Sequence, residues 1–352
     1  EIELADVTAQ SWQIRNVMLS PPKITLAILS HGQLEMISRC LESILNITVY
    51  PHFEILIVTN ELPSDPLFNQ WLHEATQLTL SPKIRINFTK ADANHPSRCN
   101  RAVSDAENDL VVLVRDECVI IQDIWLDELV RTCQERDVAA ASPLLHRAGD
   151  AKIMGAGKVL GLIGGWESPY EHNASVDDTG YLDHLRVTRD VSALSSSCML
   201  ISKSHYESVG GMDEIALGDN HSVLDFGLKL RRKNWRLIVQ PRSSIIFGGE
   251  TKPFDIKHSL EGAVAEITAT EALLNRWGKT ALIDPYWNPN LSLAESVPSP
   301  EIELLPEWLY SPSAKPRFLA HSLENAQGNY RIISPLNAAY KAGLATRFIW
   351  PQ

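Results

Sequence analysis

The N-terminal half of the chain alternates short apolar runs with stretches of helical spacing. Between the runs, apolar residues recur every three to four positions, as in the helix predicted over 33–45. Strands that alternate with helices over short connections predict a parallel sheet covered by helices on both faces. The fold class is therefore α/β. The predicted strands cover 24–29, 53–59, 83–88, 110–114 and 138–142.

The second half of the chain is less regular. Residues 143–190 are rich in Gly, Asp and His without a clear period, and such long insertions in compact domains are more often functional than idle. Residues 191–202 and 235–239 have the composition of strands, and 223–233 that of a helix with a basic end. A long helix is predicted over 256–277.

These shifts in pattern divide the chain into four segments. Residues 284–316 hold seven prolines, which fit a linker or a strap over the surface. The residues after them predict a strand over 317–320, a helix over 334–342 and a strand over 347–350. The predicted segments are a lead-in over 1–22, the main α/β domain over 23–255, a helix with a Pro-rich linker over 256–316, and the beginning of a second domain over 317–352.

The composition of the chain indicates which partners and which cellular compartment to expect. The formal net charge of -11 disfavours nucleic acid as a partner, because a protein surface that binds nucleic acid requires clustered cations. The five cysteines favour reduced, mostly buried thiols over a disulfide framework or a zinc site. No apolar run approaches the roughly 20 residues of a transmembrane segment. We therefore expect a protein of the cytoplasm or of the inner face of the membrane.

Polar residues follow several predicted strands directly. His31 comes after the first strand, Thr59 and Asn60 end the second, and Arg115-Asp116-Glu117 follow the fourth. Ligands of such sheets bind at the carboxyl ends of the strands. These side chains, with those of 94–100, therefore mark the predicted site.

The order of these segments resembles family 2 of the glycosyltransferases over roughly residues 23–255. This resemblance implies the GT-A fold, a Rossmann-like and mostly parallel sheet with helices on both faces. The matching pieces are residues 39–45, the pair 59–60, the stretch 94–102, the triplet 115–117, the turn 210–214, and the helix 225–232 with 235–236 and Pro241 after it.

The resemblance implies a nucleoside-diphosphate sugar as the donor. It places Thr59 and Asn60 at the base of the nucleotide and includes Arg98 and Asn100 among the donor-binding residues. The alternative is that Asn60 has a purely structural role as a turn-forming residue after the strand.

The triplet falls on the family's Asp-x-Asp motif, whose carboxylates hold Mg²⁺ or Mn²⁺ against the diphosphate. Here Arg115 replaces the first carboxylate and Glu117 the last, so Glu117 is the expected metal ligand beside Asp116. Arg115 could also pair with phosphate directly and do part of the metal's electrostatic work. A surface ion pair at a strand end is the remaining alternative.

The resemblance places the catalytic base of the family on Val223, which cannot accept a proton. Asp219 and His221 are the candidates to replace it, beside Asp225, which matches the second aspartate of the family's motif. The third metal ligand, a histidine in the family, falls near Phe247.

The acceptor side is expected around the Gly-Gly turn at 210–211. Asp213 and Glu214 follow this turn, and Trp166 offers an aromatic face suited to a sugar ring. Core packing for Trp166 and helix capping for the two carboxylates remain open alternatives. The basic residues at 229–232 suit a solvated helix face better than a phosphate contact.

These features predict an inverting transferase that moves a sugar to a hydroxyl of a glycan or lipid-linked acceptor in surface polysaccharide biosynthesis. The alterations at 115, 223 and 247 favour an alternative hypothesis, an inactive GT-A module that binds glycan or holds partner domains. Residues 317–352 resemble the opening of a GT-B-type glycosyltransferase domain through 329–331 and 335–336. This second resemblance implies a further glycosyltransferase domain in the full-length chain.

Overall fold

The computed structural model describes residues 16–60, 66–77, 82–248 and 264–300 in full. For residues 260–263 and the strands at 2–6, 11–14, 317–321 and 346–350 it describes the backbone alone. The chain divides into two compact units, residues 1–300 and residues 301–352. In the described part of the chain, no helix combines the length and the apolarity needed to cross a bilayer.

The first unit contains twelve strands and seven helices among its described residues. The strands are β1 Ile2–Asp6, β2 Ser11–Ile14, β3 Ile24–Ser30, β4 Phe53–Asn60, β5 Ile84–Thr89, β6 Leu110–Arg115, β7 Cys118–Ile120, β8 Val138–Arg147, β9 Ile153–Gly155, β10 Arg189–Asp190, β11 Cys198–Ser202 and β12 Arg236–Phe247. The helices are α1 Leu34–Ile47, α2 Pro66–Thr76, α3 His95–Asp105, α4 Trp125–Cys133, α5 Lys203–Ser208, α6 Gly218–Arg232 and α7 Leu260–Trp277. The second unit contributes β13 Arg317–His321 and β14 Thr346–Trp350.

The central sheet has the strand order β10-β12-β8-β11-β6-β3-β4-β5. Strands β3, β4, β5 and β6 form parallel pairs, and β8 and β12 run in the same direction. Only β11 among the longer strands is reversed, and it lies antiparallel between β6 and β8. The predicted α/β fold with a mostly parallel sheet is confirmed. The separation of β8 from β6 by β11 was not foreseen, because a strand order cannot be read from periodicity.

The centre of the sheet is apolar on both faces. Every residue of β3 is buried, as are the six central residues of β4. One face packs against the stripe of α1 that contains Ile37, Cys40 and Ile44. The other packs against α3 and α6 through Cys99, Val103 and Phe226. Burial of each such side chain stabilises the fold by roughly 1.5–3 kcal/mol, so the strand ends are held rigidly by the layers around them.

The irregular insertion after β8 packs against the Pro-rich segment. The Asp284 carboxylate accepts a hydrogen bond from the backbone of Leu160 at 2.8 Å, and Leu293 and Ser296 accept from the backbone of Ile163 and Tyr170. Trp287 and Leu291 bury apolar surface in the same region. Residues 284–300 therefore form a strap over this insertion.

The ends of the chain add two strand pairs. β1 and β2 form an antiparallel pair within the segment that was expected to be a lead-in. β13 and β14 pair in parallel, in agreement with the strands expected at 317–320 and 347–350. The helix expected near 334–342 and the GT-B-like motifs at 329–331 and 335–336 lie outside the described residues, and the domain boundaries remain predictions.

Candidate active site at the carboxyl edge of the sheet

The carboxyl ends of β3, β4 and β6 lie side by side. Ser30 pairs with Thr59 and Leu29 with Arg115 in the parallel register of these strands. The polar residues that follow the three strands therefore share one edge of the sheet. Helix α3 begins at the same edge, where the Asn94 side chain caps it by accepting from the backbone N–H of Ser97 at 3.0 Å.

Arg98, in the first turn of α3, is the buried cation of this edge. Its side chain is 2% exposed. The guanidinium donates to Oδ1 of Asn60 at 3.1 Å and to the carbonyl of Ala93 at 2.8 Å, and it lies 2.9 Å from Nδ1 of His31. All three partners are neutral. Burial lowers the pKa of Arg98, and the Asp219 carboxylate acts on it through space without forming an ion pair with it.

Three buried polar atoms without partners lie where β4 ends and α3 begins. Within the described residues, Nε of Arg98, Nδ1 of His95 and Oγ1 of Thr59 make no hydrogen bond. Most buried polar groups in proteins are paired, and an unpaired one costs about 1–3 kcal/mol. Unpaired donors beside an uncompensated cation are the arrangement expected of a site for an anionic, polar ligand.

Two histidines at this edge are held neutral. Burial, reinforced by the charge of Arg98, lowers the pKa of His31 to about 4. Burial, reinforced by Arg115 and Arg98, lowers the pKa of His95 to about 3. A neutral imidazole keeps a lone pair, so His31 can accept a hydrogen bond from Arg98 without adding charge to the site.

Asn60 serves as a support for Arg98. Its amide nitrogen donates to the carbonyls of Ala91 and Ala93, and its oxygen accepts from Arg98 and from Oγ1 of Thr89. These contacts use the donors and acceptors of the amide, so Asn60 orients the guanidinium and the segment before α3. Thr59 is buried beside it, and its hydroxyl lacks a partner within the described residues.

Asp116 belongs to the floor of the site. Its Oδ2 accepts from Oγ of Ser30 at 2.7 Å and from the backbone N–H of His31 at 3.1 Å. Burial, with the charge of Glu117 as the second cause, raises the pKa of Asp116 to about 7. This carboxyl therefore holds the turn after β3 in place and carries less than a full negative charge near neutral pH.

Arg115 and Glu117 are paired with each other. Nε and Nη2 of Arg115 donate to the two carboxylate oxygens of Glu117 at 3.1 and 2.6 Å. Burial alone would raise the pKa of Glu117, but the charge and hydrogen bonds of Arg115 outweigh it and lower that pKa to about 2. The Arg115 guanidinium also lies 5.7 Å from the ring centroid of Phe247.

These residues do not fit a divalent cation. Both oxygens of Glu117 accept from Arg115, and Asp116 is bound to Ser30 and His31. Phe247, at the position of the expected third ligand, has no lone pair to offer. Across the described residues, no group of three or more His, Cys, Asp or Glu side chains could hold a metal ion.

The turn at 210–214 is fastened to α3 by Asn100. The Asn100 amide donates to the carbonyl of Met212 at 2.9 Å and to the Glu214 carboxylate at 2.6 Å, while its oxygen accepts from Tyr206 and Met212. A side chain at Gly211 would meet Oδ1 of Asn100 at 2.6 Å, so this position requires glycine. Asn100 and Glu214 thus hold the turn at 210–214 against α3.

The three candidates on α6 point to different surroundings. Asp219 accepts from the backbone N–H of His95 at 3.2 Å, and its charge acts on Arg98 and His31. His221 is buried against α7, with Nε2 3.1 Å from Oγ1 of Thr270. Asp225, 0% exposed, binds Arg276 and Lys229 at 2.9 and 2.8 Å. The structure therefore brings Asp219 to the edge, whereas Asp225 and His221 join α6 to its neighbours.

Val223 lies in the apolar core between α6 and the sheet, and its side chain is 2% exposed.

On the expected acceptor side, Trp166 donates to the carbonyl of Ala281 at 2.5 Å and packs edge-on against His221. Asp213 accepts from the backbone of Ile215 and Ala216 and pairs with Arg276 at 2.8 Å. Trp166 therefore contacts α6 and the segment after α7, whereas Asp213 contacts α7 and its own turn.

The sequence-based prediction did not include Ser30. It marked His31 and the stretch 94–100 as part of the site but gave His31 and His95 no role. Ser30 is the last residue of β3, so its position beside a predicted ligand edge was a usable signal. His95 is the first residue of α3, and only its burial shows that it belongs to the site.

A cavity of about 720 Å³ lies elsewhere, at the C-terminal ends of α6 and α7, and is lined by residues that include Arg231, Trp235, Trp277 and Tyr286. It shares no residue with the strand edge. Three of its four arginines, Arg231, Arg232 and Arg276, lie in the last turn of a helix, where cations are favoured without any ligand. The fourth, Arg236, pairs with Asp190 at 2.8 Å. We therefore place the candidate active site at the strand edge.

Comparisons with known proteins agree with this architecture. The sequence profile described as "Glycosyltransferase like family 2" matches residues 21–280. The chain is 26% identical over 277 residues to the uncharacterized protein y4gI of Sinorhizobium fredii, covering 78% of this chain and 30% of that protein. It is 25% identical over 299 residues to the O-antigen biosynthesis protein RfbC of Myxococcus xanthus, covering 83% and 22%. The chain thus spans less than a third of these relatives.

Two solved structures share the fold. GalNAc-T7 with UDP, GalNAc and Mn²⁺ superposes with a TM-score of 0.57 at 12% identity, over 78% of this chain and 51% of that chain. The mannosyltransferase PcManGT from Pyrobaculum calidifontis, in complex with GDP-Man and Mn²⁺, superposes with a TM-score of 0.52 at 13% identity, over 76% and 78%. At such low identity the likeness concerns the fold alone.

Proposed function

Because this chain belongs to family 2 of the glycosyltransferases and is a transferase domain of the GT-A fold, we propose that it moves a sugar from a nucleoside diphosphate to a glycan hydroxyl. The reaction is inverting, and the acceptor is a growing surface polysaccharide or its lipid-linked precursor at the cytoplasmic side of the membrane. The name of the Myxococcus xanthus relative, an O-antigen biosynthesis protein, supports a polysaccharide as the acceptor.

The observation that best supports a diphosphate donor is the buried cation at the strand edge, which has no ion-pair partner among the described residues. Arg98 is buried among neutral partners, and unpaired polar atoms of Arg98, His95 and Thr59 surround it. A diphosphate supplies the missing negative charge and accepts charge-assisted hydrogen bonds. His31, exposed above Arg98, marks where the donor reaches the guanidinium.

Asp219 is the group we assign as the base. Inversion in a single displacement requires a proton acceptor beside the acceptor hydroxyl. Among the three candidates on α6, Asp219 alone combines exposure with electrostatic contact to Arg98 and His31. The acceptor then lies between the start of α6 and the turn at 210–214.

The chemistry left to these residues is binding and proton transfer. Arg98 and Arg115 neutralise the charge that develops on the departing diphosphate, and such preorganised donors are a major source of catalysis. Asp219 removes the proton from the acceptor hydroxyl while the oxygen of that hydroxyl attacks the anomeric carbon and displaces the diphosphate. No step in this scheme passes through a metal ion, because the triplet does not fit one.

Isothermal titration calorimetry with UDP, GDP and dTDP tests the donor site. We expect one of them to bind with one site per chain, and Arg98→Met to weaken that binding at least tenfold. Release of nucleoside diphosphate from the matching sugar nucleotide then tests turnover. Failure of all three to bind at millimolar concentration would remove the proposal.

One observation favours the second candidate, a module that binds glycan without transferring sugar. The position of the family's base is occupied by Val223, which is buried in the core and not merely altered at the surface. Glycan binding without any nucleotide binding, measured in the same calorimeter, would support this candidate over the transferase.

A further inference from the structure

We propose that the donor diphosphate is bound without a divalent cation, and that the Arg115 guanidinium, held by Glu117 and Phe247, stands where family members place the metal. This inference rests on the proposed function, because it concerns how the same site holds its donor. It goes further by assigning a role to three residues that otherwise break the family pattern.

Two of the changed positions touch each other. Residue 115 is arginine where the family has a carboxylate, and residue 247 is phenylalanine where a histidine ligand is expected. The Arg115 guanidinium lies 5.7 Å from the centroid of the Phe247 ring, within the range of a cation–π contact. The end of β12 that carries Phe247 pairs with Cys118 of β7, just after the triplet. The two positions that depart from the family pattern are therefore in contact with each other.

Glu117 holds Arg115 and is not free to ligate a metal. The fork-to-fork geometry uses both carboxylate oxygens, at 2.6 and 3.1 Å from the guanidinium nitrogens. A cation that entered would have to separate this pair and then sit beside the released Arg115 charge. Arg98 adds a second positive charge close enough to disfavour protonation of His31 and His95. The electrostatics of the edge therefore favour an anion and oppose a divalent cation.

Arg115 retains donors for a phosphate. Nε and Nη2 bind Glu117, whereas Nη1 makes no hydrogen bond to any described residue. A guanidinium has five N–H donors in a planar fork, and this geometry matches two oxygens of a phosphate. The side chain is a quarter exposed, so a ligand can reach it from solvent. Glu117 fixes its direction while Nη1 faces the ligand.

The test measures nucleotide binding and Mn²⁺ binding separately on the 352-residue chain. Calorimetry with UDP, GDP and dTDP, in EDTA and in an excess of Mn²⁺, should give dissociation constants that agree within about threefold between the two conditions. Electron paramagnetic resonance of Mn²⁺ alone should show no stoichiometric binding. A nucleotide that binds at least tenfold more tightly with Mn²⁺ would overturn the inference, as would Mn²⁺ binding that Glu117→Gln removes.

Variants at residue 115 sharpen the result. Arg115→Gln should weaken nucleotide binding at least tenfold in both conditions. Arg115→Asp recreates a carboxylate pair with Glu117, so its binding should be weak in EDTA and at least partly restored by Mn²⁺. Arg101→Gln, which removes an exposed arginine of α3, is the matched control and should bind like the original chain. Unchanged binding by folded Arg115→Gln, checked by circular dichroism, contradicts the proposal.

Different results would contradict the metal-free donor site and the proposed function. Binding of nucleotide only in Mn²⁺ contradicts the metal-free site but leaves the donor proposal intact. Absence of nucleotide binding in both conditions contradicts the proposed function, and the role of Arg115 falls with it.

Discussion

Arg98 donates to Oδ1 of Asn60 at 3.1 Å, and this hydrogen bond joins the start of α3 to the carboxyl end of β4. The same guanidinium lies against His31, whose backbone N–H donates to Asp116. A continuous network therefore runs from the second predicted strand to the fourth. The ends of these strands come together at one edge of the sheet, where we propose that the sugar nucleotide binds.

Arg98→Met should separate binding from stability. A buried charge with neutral partners costs desolvation energy, and replacing such charges by apolar groups of similar volume is often neutral or stabilising. We expect at least tenfold weaker nucleotide binding, about 1.4 kcal/mol, with an unchanged or higher melting temperature. Arg101→Met, on the same helix but exposed, should leave both quantities unaltered. A large loss of stability in Arg98→Met would show that Arg98 is structural.

Asp116→Asn should change the pH dependence of stability. The pKa of Asp116 in the folded chain is raised to about 7. Its contribution to the free energy of unfolding is therefore fully present at a pH below the unfolded pKa, which lies near 4, and is lost as the pH rises towards 7. The introduced amide would mimic the neutral carboxyl at every pH. The variant should therefore gain stability relative to the original chain between about pH 4 and 7, by at most about 4 kcal/mol. Urea unfolding at pH 4.5, 5.5, 6.5 and 7.5 (about one unit apart) measures this difference.

A parallel variant checks the cause of that shift. Glu117→Gln removes the negative charge that is the second contribution to the raised pKa of Asp116. The stability difference for Asp116→Asn should then become smaller in the Glu117→Gln background. An equal difference in both backgrounds would mean that burial alone sets the titration of Asp116.

Asp219→Asn should remove transfer and spare binding. General acid–base groups contribute typically 10²–10⁴-fold to rate, so we expect turnover to fall by at least about 100-fold while the nucleotide dissociation constant changes little. His221→Asn, which alters a side chain buried against α7, is the control for α6. Turnover that survives in Asp219→Asn would place the base elsewhere.

Val223→Asp should destabilise the fold and fail to restore a catalytic base. Val223 is packed in the core with Phe226 and Tyr206. An unpaired carboxylate there would be desolvated, so several kcal/mol of stability should be lost and the aspartate pKa raised. Thermal unfolding followed by circular dichroism gives the comparison with Val223→Ala, which should cost about 1–3 kcal/mol. Increased turnover in a stable Val223→Asp variant would contradict the buried position.

Asp225→Asn should weaken the attachment of α7. Asp225 is fully buried and binds Arg276, Lys229 and the indole N–H of Trp277. Breaking a buried ion pair costs about 3–5 kcal/mol, and the partial exposure of both cations reduces the expected loss to about 2–4 kcal/mol. Asp150→Asn removes the exposed pair with Arg147 and should cost less than about 1 kcal/mol. Equal losses for the two variants, measured by urea unfolding, would argue against a structural role for Asp225.

The elements of the parallel half were predictable because each is locally encoded. β3, β4 and β6 are continuous apolar runs, and α1 carries its apolar stripe at helical spacing, so sequence periodicity locates them within a few residues. The insertion of β11 between β6 and β8 was not predictable, since it depends on pairing between segments more than 50 residues apart. Long-range pairing leaves no periodic signal in either strand.

The site was only partly visible in the same way. The residues that follow β3, β4 and β6 could be named because the carboxyl ends of parallel strands carry ligands. Their roles could not be assigned, because a role depends on which partner each side chain meets. Asn60 proves to be a support for Arg98, and Glu117 proves to be a partner of Arg115.

The sequence by itself determined the α/β class, the family resemblance and the strand edge at which the site lies, since all three follow from local patterns and from their order along the chain. Only the tertiary structure decided that Arg98 is buried with no anionic ion-pair partner among the described residues, that Arg115 contacts both Glu117 and Phe247, and that Val223 faces the core. The physical reason is that charge compensation and desolvation are set by neighbours in space, which residue order does not specify.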